Sequence, residues 1–369
     1  MSLHHFTLLS TVFALSTAKL ELVSVQSIFR HGDRAPSSPY PNDVHGVEHW
    51  PNGWSQLTKL GADQTQDLGQ YYRSRYVDQL GLLNPTKLST EVRMRSTSKQ
   101  RAIMSADNVM LGLVGSQFEA FDIHHDYKQD LLLKPNSVAC PAYDKTAAFD
   151  NSKLNTFYNN VYKKFFKKLS KSTGMSVSME NIDQVFDALF REKTHGLELP
   201  KWTKDTVFDV VKQEYSTVYD LVVELKRVHR LTEFNSAKKS KLRTGYLLGQ
   251  IIEFMKNSTT GTEAPKLMLF SSHDATLTSL LYSINASDDK LTPYAAAITF
   301  ELWKDPEGPH KPTYYVKVLY RNQSYSNKAT VLNIPGCTAR ICEFGQFVSV
   351  LKNNVVDSVQ GHQRLCRVR

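Results

Sequence analysis

The chain has 369 residues, 41% hydrophobic, 11% aromatic and 22% charged, a mix that excludes collagen-like, low-complexity and wholly disordered chains. At about 150 residues per domain its length suits two domains or one elaborated domain. The formal net charge of +9 admits nucleic acid, an acidic membrane surface or a small anionic substrate as partner and does not choose among them.

Residues 1–18 contain no charged side chain, hold an apolar stretch from Phe6 to Leu15 and end in Ser16-Thr17-Ala18, the small-x-small pattern of a signal-peptidase site. They read as a secretion signal cleaved near Ala18, although His4 and His5 stand where Lys or Arg is usual. No later apolar run approaches the roughly 20 residues needed to span a bilayer, and the tail Arg364–Arg369 is no lipid-anchor signal, so a membrane anchor is not expected.

A first strand is expected from Leu20 to Phe29, running into Arg30-His31-Gly32-Asp33-Arg34-Ala35-Pro36, where Gly32 and Pro36 break regular structure. Thr58 to Tyr76 has apolar residues at helical spacing and should cover one sheet face. A second strand from Leu88 to Met94 ends at Arg95, and Ser96, Thr97 or Ser98 can cap a helix carrying Ile103, Met110 and Leu113. From about Asn151 to Glu233 strand signals fade. There Leu154, Phe157, Tyr158, Val161, Tyr162, Phe165 and Leu169 predict one amphipathic helix, whose lysine-rich outer face reads as solvated rather than as a membrane or nucleic-acid surface. A third strand, Leu267 to Phe270, is apolar throughout and ends at Ser271-Ser272-His273-Asp274, followed by a helix with Leu277, Leu280, Leu281 and Ile284. Ile298–Trp303 and Tyr314–Tyr320 read as an antiparallel hairpin.

Strands alternating with helices imply an α/β fold with a mainly parallel sheet flanked by helices, in which ligands bind beyond the carboxyl ends of the strands. If the three strands are neighbours, Arg30, His31, Arg34, Arg95, His273 and Asp274 converge. Arginine forks match phosphate oxygens, and a cluster of them is costly without its anion. Two positive charges about 4 Å apart repel by about 4 kcal/mol at an effective dielectric near 20. The same field drives His31 toward its neutral, nucleophilic form. The residues therefore suit phosphoryl transfer: His31 attacks phosphorus to give a phosphohistidine, Arg30, Arg34, Arg95 and His273 bind the phosphate, and Asp274 protonates the leaving alcohol. Because Asp274 must start protonated, acidic pH is expected to favour activity. The scheme requires no metal and no cofactor.

Arg, His, Gly, Arg and Pro fixed in one seven-residue frame should arise by chance in about one chain of this length in ten thousand. The segment 30–36 resembles the signature of the histidine acid phosphatases. Trp50-Pro51-Asn52-Gly53-Trp54-Ser55-Gln56-Leu57-Thr58 and the stretch on to Tyr76 resemble the prostatic and lysosomal branch, and Arg95-Ser96-Thr97 and His273-Asp274 resemble that family's third phosphate arginine and distal His-Asp pair. The resemblance implies an α/β catalytic domain over residues 19–120 and 236–369 with a smaller, mainly helical domain inserted at 121–235, the histidine phosphatase and phosphoglycerate mutase-like arrangement. It implies a secreted or lysosomal acid phosphatase for small-molecule or peptide phosphomonoesters, and relatives are often homodimers.

Four cysteines in an exported chain suggest two disulfides, and the sequence alone allows three pairings. The resemblance implies Cys140 with Cys366 and Cys337 with Cys342, while a third pair of that branch is absent, Arg191 and Ala297 standing in its places. Sequons at Asn257, Asn285 and Asn322 become glycosylation sites if the chain is exported.

Three other readings compete. His45-Gly46-Val47-Glu48-His49 spells the H-x-x-E-H zinc motif, but Gly46 and the flanking Pro41 and Pro51 favour a loop over the helix that motif needs, leaving His49 at most an entrance residue. A phytase would share the signature. A catalytically silent secreted binding protein would keep the scaffold alone.

Overall fold

The computed structural model describes residues 20–115, 123–125, 128–261, 265–310 and 312–367. The expected signal at 1–18 lies outside them. Among the described residues ten strands are formed: β1 (Glu21–Arg30), β2 (Val92–Ser96), β3 (Ile123–His124), β4 (Thr206–Asp209), β5 (Glu214–Thr217), β6 (Leu267–Ser272), β7 (Ala297–Asp305), β8 (Thr313–Arg321), β9 (Thr330–Val331) and β10 (Ile341–Glu343). Eight make one sheet in the order β10-β8-β7-β1-β6-β2-β3, with β9 beside β8. Its strands are mainly parallel: β1, β2, β3, β6 and β8 run one way, and β7, β9 and β10 return against them.

The apolar strand β6 sits between β1 and β2, with Arg30 opposite Ser272 and Ser96 opposite Ser271. Alternation along β1 sends Ile28 to one face and Val25 and Phe29 to the other. Helices Ala237–Thr259 and Asp274–Ser283 cover the first face through Leu247, Leu248, Ile251, Leu277 and Leu280. Helices Lys59–Arg73 and Gln100–Val114 cover the second through Leu68, Tyr72, Val109, Met110 and Leu113. This is the flanked α/β arrangement, with the expected hairpin as β7 and β8.

Several local expectations are corrected. Residues 88–91 form a helical turn and the second strand begins only at Val92. The next helix starts at Gln100 after Lys99, with no side-chain cap, rather than at the serines and threonine before it. The amphipathic segment is two helices, Pro141–Val161 and Lys163–Thr173. They break at Tyr162, whose hydroxyl donates to the buried Asp209 carboxylate and leaves the helical line. The sheet also reaches past residue 120, because β3 pairs with β2.

A third core, formed by Tyr162, Phe166, Leu169, Val185, Phe186, Leu189, Val222 and Leu225, organises the helical region, which also holds the β4–β5 hairpin. The loop after the signature joins that core through Tyr40, whose ring meets Trp202 edge-on at 6.4 Å. The cysteines are joined as Cys140–Cys366 and Cys337–Cys342. Asn257, Asn285 and Asn322 are exposed.

Beside Tyr40, Glu192 is 1% exposed and hydrogen-bonded to Asp43. Burial, then the charge of Asp43, raises its pKa from 4.5 to about 8. The folded value lies above the unfolded one, so the protonated carboxyl adds stability that is complete below pH 4.5 and is lost as pH rises through about 8. Unfolding free energy should therefore fall over this range by up to about 1.4 kcal/mol per pH unit, and Glu192→Gln should remove that slope in urea titrations. Cys140–Cys366 ties residues 226 apart in sequence, and Cys366→Ser should lower the unfolding free energy by about 2–5 kcal/mol in the same assay.

Candidate active site

Beyond the carboxyl ends of β1 and β6 lies a cavity of about 830 Å³ whose wall includes Arg30, His31, Arg34, Arg101, His273 and Asp274. The chain enters it where the His31 amide donates to the Ser272 carbonyl at 3.1 Å, continuing the β1–β6 pairing one residue past the strand. Gly32 then packs backbone to backbone against Gly61. A Cβ on Gly32 would fall 2.1 Å from the Gly61 carbonyl oxygen, so only glycine lets the loop lie on the start of helix Lys59–Arg73. Asp33, fully buried, accepts from the Thr58 hydroxyl at 2.7 Å, and Thr58 caps that helix.

His31 is 2% exposed. Its Nδ1 lies 2.8 Å from the Gly32 carbonyl, which can only accept, so the proton sits on Nδ1. Nε2 is left as the lone-pair nitrogen and accepts from Arg101 Nε at 3.1 Å. Burial, then the charges of Arg101 and Arg30 and the neighbouring His273, hold the His31 pKa well below the usual histidine range, against the opposing Gly32 hydrogen bond. The ring is neutral, with its lone pair on the nitrogen that faces the cations.

Arg101, from the first turn of helix Gln100–Val114, was not anticipated, and it corrects the expectation for Arg95. Arg95 lies within β2, donates to Asp130 at 2.7 Å and is not part of the cavity wall. Six residues on, the chain has turned into a helix whose first turn carries Arg101 to His31. Burial, then repulsion from Arg34, lowers the Arg101 pKa to about 10. Arg30 donates from Nη1 to the Thr292 carbonyl and lies 4.0 Å above the Tyr294 ring, a second wall residue that sequence reasoning missed.

Arg34 also departs from the expected unpaired cluster. Asp187, on helix Ile182–Thr194, accepts from its Nη2 at 2.8 Å and pairs with Arg191 at 3.0 Å. Burial alone would raise the Asp187 pKa, but Arg191 and Arg34 hold it far below the usual carboxylate range. The same region supplies His195, whose Nε2 meets Asp33 at 2.6 Å. The signature loop is thus clamped by residues about 150 positions downstream.

His273 lies edge to face with His31, ring centroids 5.4 Å apart, and its Nε2 meets the Thr97 hydroxyl at 2.9 Å. Burial, then Arg101, lowers its pKa to about 3. Asp274 opens helix Asp274–Ser283 and faces Arg230 Nε at 3.2 Å. Burial would raise its pKa, yet Arg230, Arg30 and Lys226 hold it well below the usual carboxylate range. Arg230 beside it thus favours the ionised carboxylate, whereas the expected role of Asp274 as proton donor needs the protonated one.

His45-Gly46-Val47-Glu48-His49 folds around a single 3-10 turn, Val47–His49, instead of the helix the zinc motif needs, and His49 is not part of the cavity wall. Among the described residues the one close grouping of potential ligands is Cys140, His362 and Cys366, whose sulfurs are joined as a disulfide.

The family model "Histidine phosphatase superfamily (branch 2)" matches residues 21–321. The lysosomal acid phosphatase of Xenopus laevis is 35% identical over 353 residues, covering 90% of this chain and 76% of that protein. The prostatic acid phosphatase of Mus musculus is 30% identical over 371 residues, covering 95% and 91%. Among solved structures, the apo phytase of Hafnia alvei aligns with a TM-score of 0.68 at 18% identity, covering 94% of this chain and 98% of its own. The phytase of Citrobacter braakii aligns at 0.67 and 17%, covering 95% and 100%. At these identities the two structures speak for the fold alone.

Proposed function

The chain belongs to branch 2 of the histidine phosphatase superfamily, and from that premise we propose that it is an acid phosphatase that cleaves phosphomonoesters through a phosphohistidine at His31. The observation that carries this reading is the orientation of His31: Nδ1 donates to Gly32, and the neutral Nε2 faces the guanidinium wall at Arg101. The entering phosphate takes over the donors of Arg101, Arg30 and Arg34. Nε2 attacks phosphorus as the bond to the leaving oxygen breaks, and that oxygen takes the proton of Asp274. Water then attacks phosphorus, gives a proton to Asp274 and releases phosphate, restoring neutral His31. His273 donates to a phosphoryl oxygen. The bound dianion offsets the field of Arg30 and Arg101 and allows Asp274 to hold the proton it must deliver.

The acid phosphatase relatives support a secreted or lysosomal setting, with cleavage near Ala18 and glycans at the exposed sequons. Both disulfides fit an oxidising compartment.

Hydrolysis of p-nitrophenyl phosphate near pH 5 tests the reading. His31→Ala should lower kcat on the order of 10^4-fold or more, and Asp274→Asn by about 10^2- to 10^4-fold. Arg101→Ala should lower kcat/KM about 10^2- to 10^3-fold, whereas Arg95→Ala should change it by less than about threefold. Equal losses at the two arginines would return Arg95 to the phosphate site, and full activity of His31→Ala would leave a silent binding protein. A second measurement addresses the acid. Asp274 must be protonated to act and Arg230 lowers its pKa, so Arg230→Met should move the falling limb of the kcat–pH profile to higher pH. An unmoved limb would remove Asp274 or its pairing with Arg230 from the scheme.

A further inference from the structure

The cavity wall carries more positive charge than one phosphate requires. Among the described residues seven cationic side chains line it, Arg30, Arg34, Arg101, Lys134, Arg191, Lys226 and Arg230, against three carboxylates, Asp183, Asp187 and Asp274. A phosphate dianion offsets only half of that surplus.

Lys226 stands apart from the rest. It is 8% exposed, lines the cavity, and has neither a hydrogen bond nor a carboxylate within ion-pair distance among the described residues. A buried ammonium without a partner is costly, and one that opens into a cavity has a vacancy for an anion. Lys226 and Arg230 are four residues apart on helix Val218–Thr232 and so share a face. Arg230 is fixed from behind by Glu233 at 2.9 Å and reaches Asp274 in front at 3.2 Å. Lys226 therefore lies on the Asp274 side of the cavity, the side from which the leaving alcohol is protonated.

We propose that Lys226, flanked by Arg230, forms a second anion subsite that receives a carboxylate or phosphate carried by the leaving group, so that the protein selects phosphomonoesters whose alcohol is itself anionic. The assignment of a leaving-group side rests on the phosphatase reading above; the anion site itself does not. Burial, then the charge of Arg230, lowers the Lys226 pKa to about 8, which leaves the ammonium charged under acidic conditions. An anion there also offsets the charges that keep Asp274 ionised, coupling recognition of the leaving group to its protonation.

Binding of non-hydrolysable probes separates this inference from turnover. By calorimetry at pH 5.5 and low salt, 4-carboxybenzylphosphonate should bind about tenfold or more tightly than its isostere 4-carbamoylbenzylphosphonate, and the ratio should shrink as salt is added. A bisphosphonate of the same ring should show whether a second phosphate-like group serves better than a carboxylate. Lys226→Met should bring the ratio to within about twofold, and Lys226→Arg, which keeps the charge, should retain most of it. Should the methionine variant not fold, Lys226→Gln supplies the neutral arm. A wild-type ratio near one, or a ratio that survives loss of the charge, overturns the subsite. Absence of p-nitrophenyl phosphate turnover with the ratio intact would overturn the phosphatase reading and keep the anion site.

Discussion

The parallel pairing of β1 with β6 is the constraint on which the rest depends. With Arg30 opposite Ser272, the next residue of each chain leaves the sheet at the same edge, and those residues are His31 and His273. Antiparallel pairing would put them at opposite ends of the sheet. The hydrogen bond from the His31 amide to Ser272 carries the register one step beyond the strand, which is why two imidazoles 242 positions apart in sequence meet edge to face at 5.4 Å. Three polar partners are then placed relative to that pair: Thr97 from just past β2, Arg101 from the helix after it, and Asp274 from the helix after β6.

Electrostatics then divides the labour. Burial and neighbouring guanidiniums act on the two histidines in the same direction, and both are neutral. On the carboxylates they act in opposition, and where an arginine touches the oxygen, as Arg34 does at Asp187 and Arg230 at Asp274, the ionised form wins. Burial and charge thus leave the two imidazoles unprotonated and Asp187 and Asp274 ionised. Of the cations that hold Asp274 ionised, Arg230 leads and Arg30 and Lys226 follow, so an anion arriving beside them is what would let the carboxylate take up a proton.

What the sequence disclosed was what local patterning governs. The apolar run ending at His273, the Gly–Pro break after Arg30 and the alternation of the β7–β8 hairpin each depend on neighbours a few residues away. Arg95 shows the limit. In sequence it follows Met94 as Arg30 follows Phe29, but the strand runs on to Ser96, Arg101 enters the cavity wall from the first turn of the following helix, and only the position of that turn in space selects it. Asp187 shows another limit. Nothing near Arg34 announces a carboxylate arriving from 153 residues downstream, so a paired arginine reads as a free one. At Tyr162 the backbone leaves helical geometry within a periodicity that is otherwise continuous, and its hydroxyl meets a buried carboxylate on a segment that nothing nearby announces.

Arg191 gathers these threads. It stands where the acid phosphatase resemblance places one half of a disulfide, with Ala297 at the other half, and the structure gives it a different task. Its guanidinium lies between Phe186, Phe190 and Tyr294 at 5.6 to 5.7 Å and pairs with Asp187, which also holds Arg34 and accepts from the Ser37 amide. Together with His195 on Asp33, this network joins helix Ile182–Thr194 to the signature loop without a covalent bond. A disulfide would hold that wall in place and leave the field in the cavity unaltered. An ionic tie made of wall residues holds the wall and also shapes that field, so the charge an anion meets on entry belongs partly to the network that keeps the helical region against the signature loop.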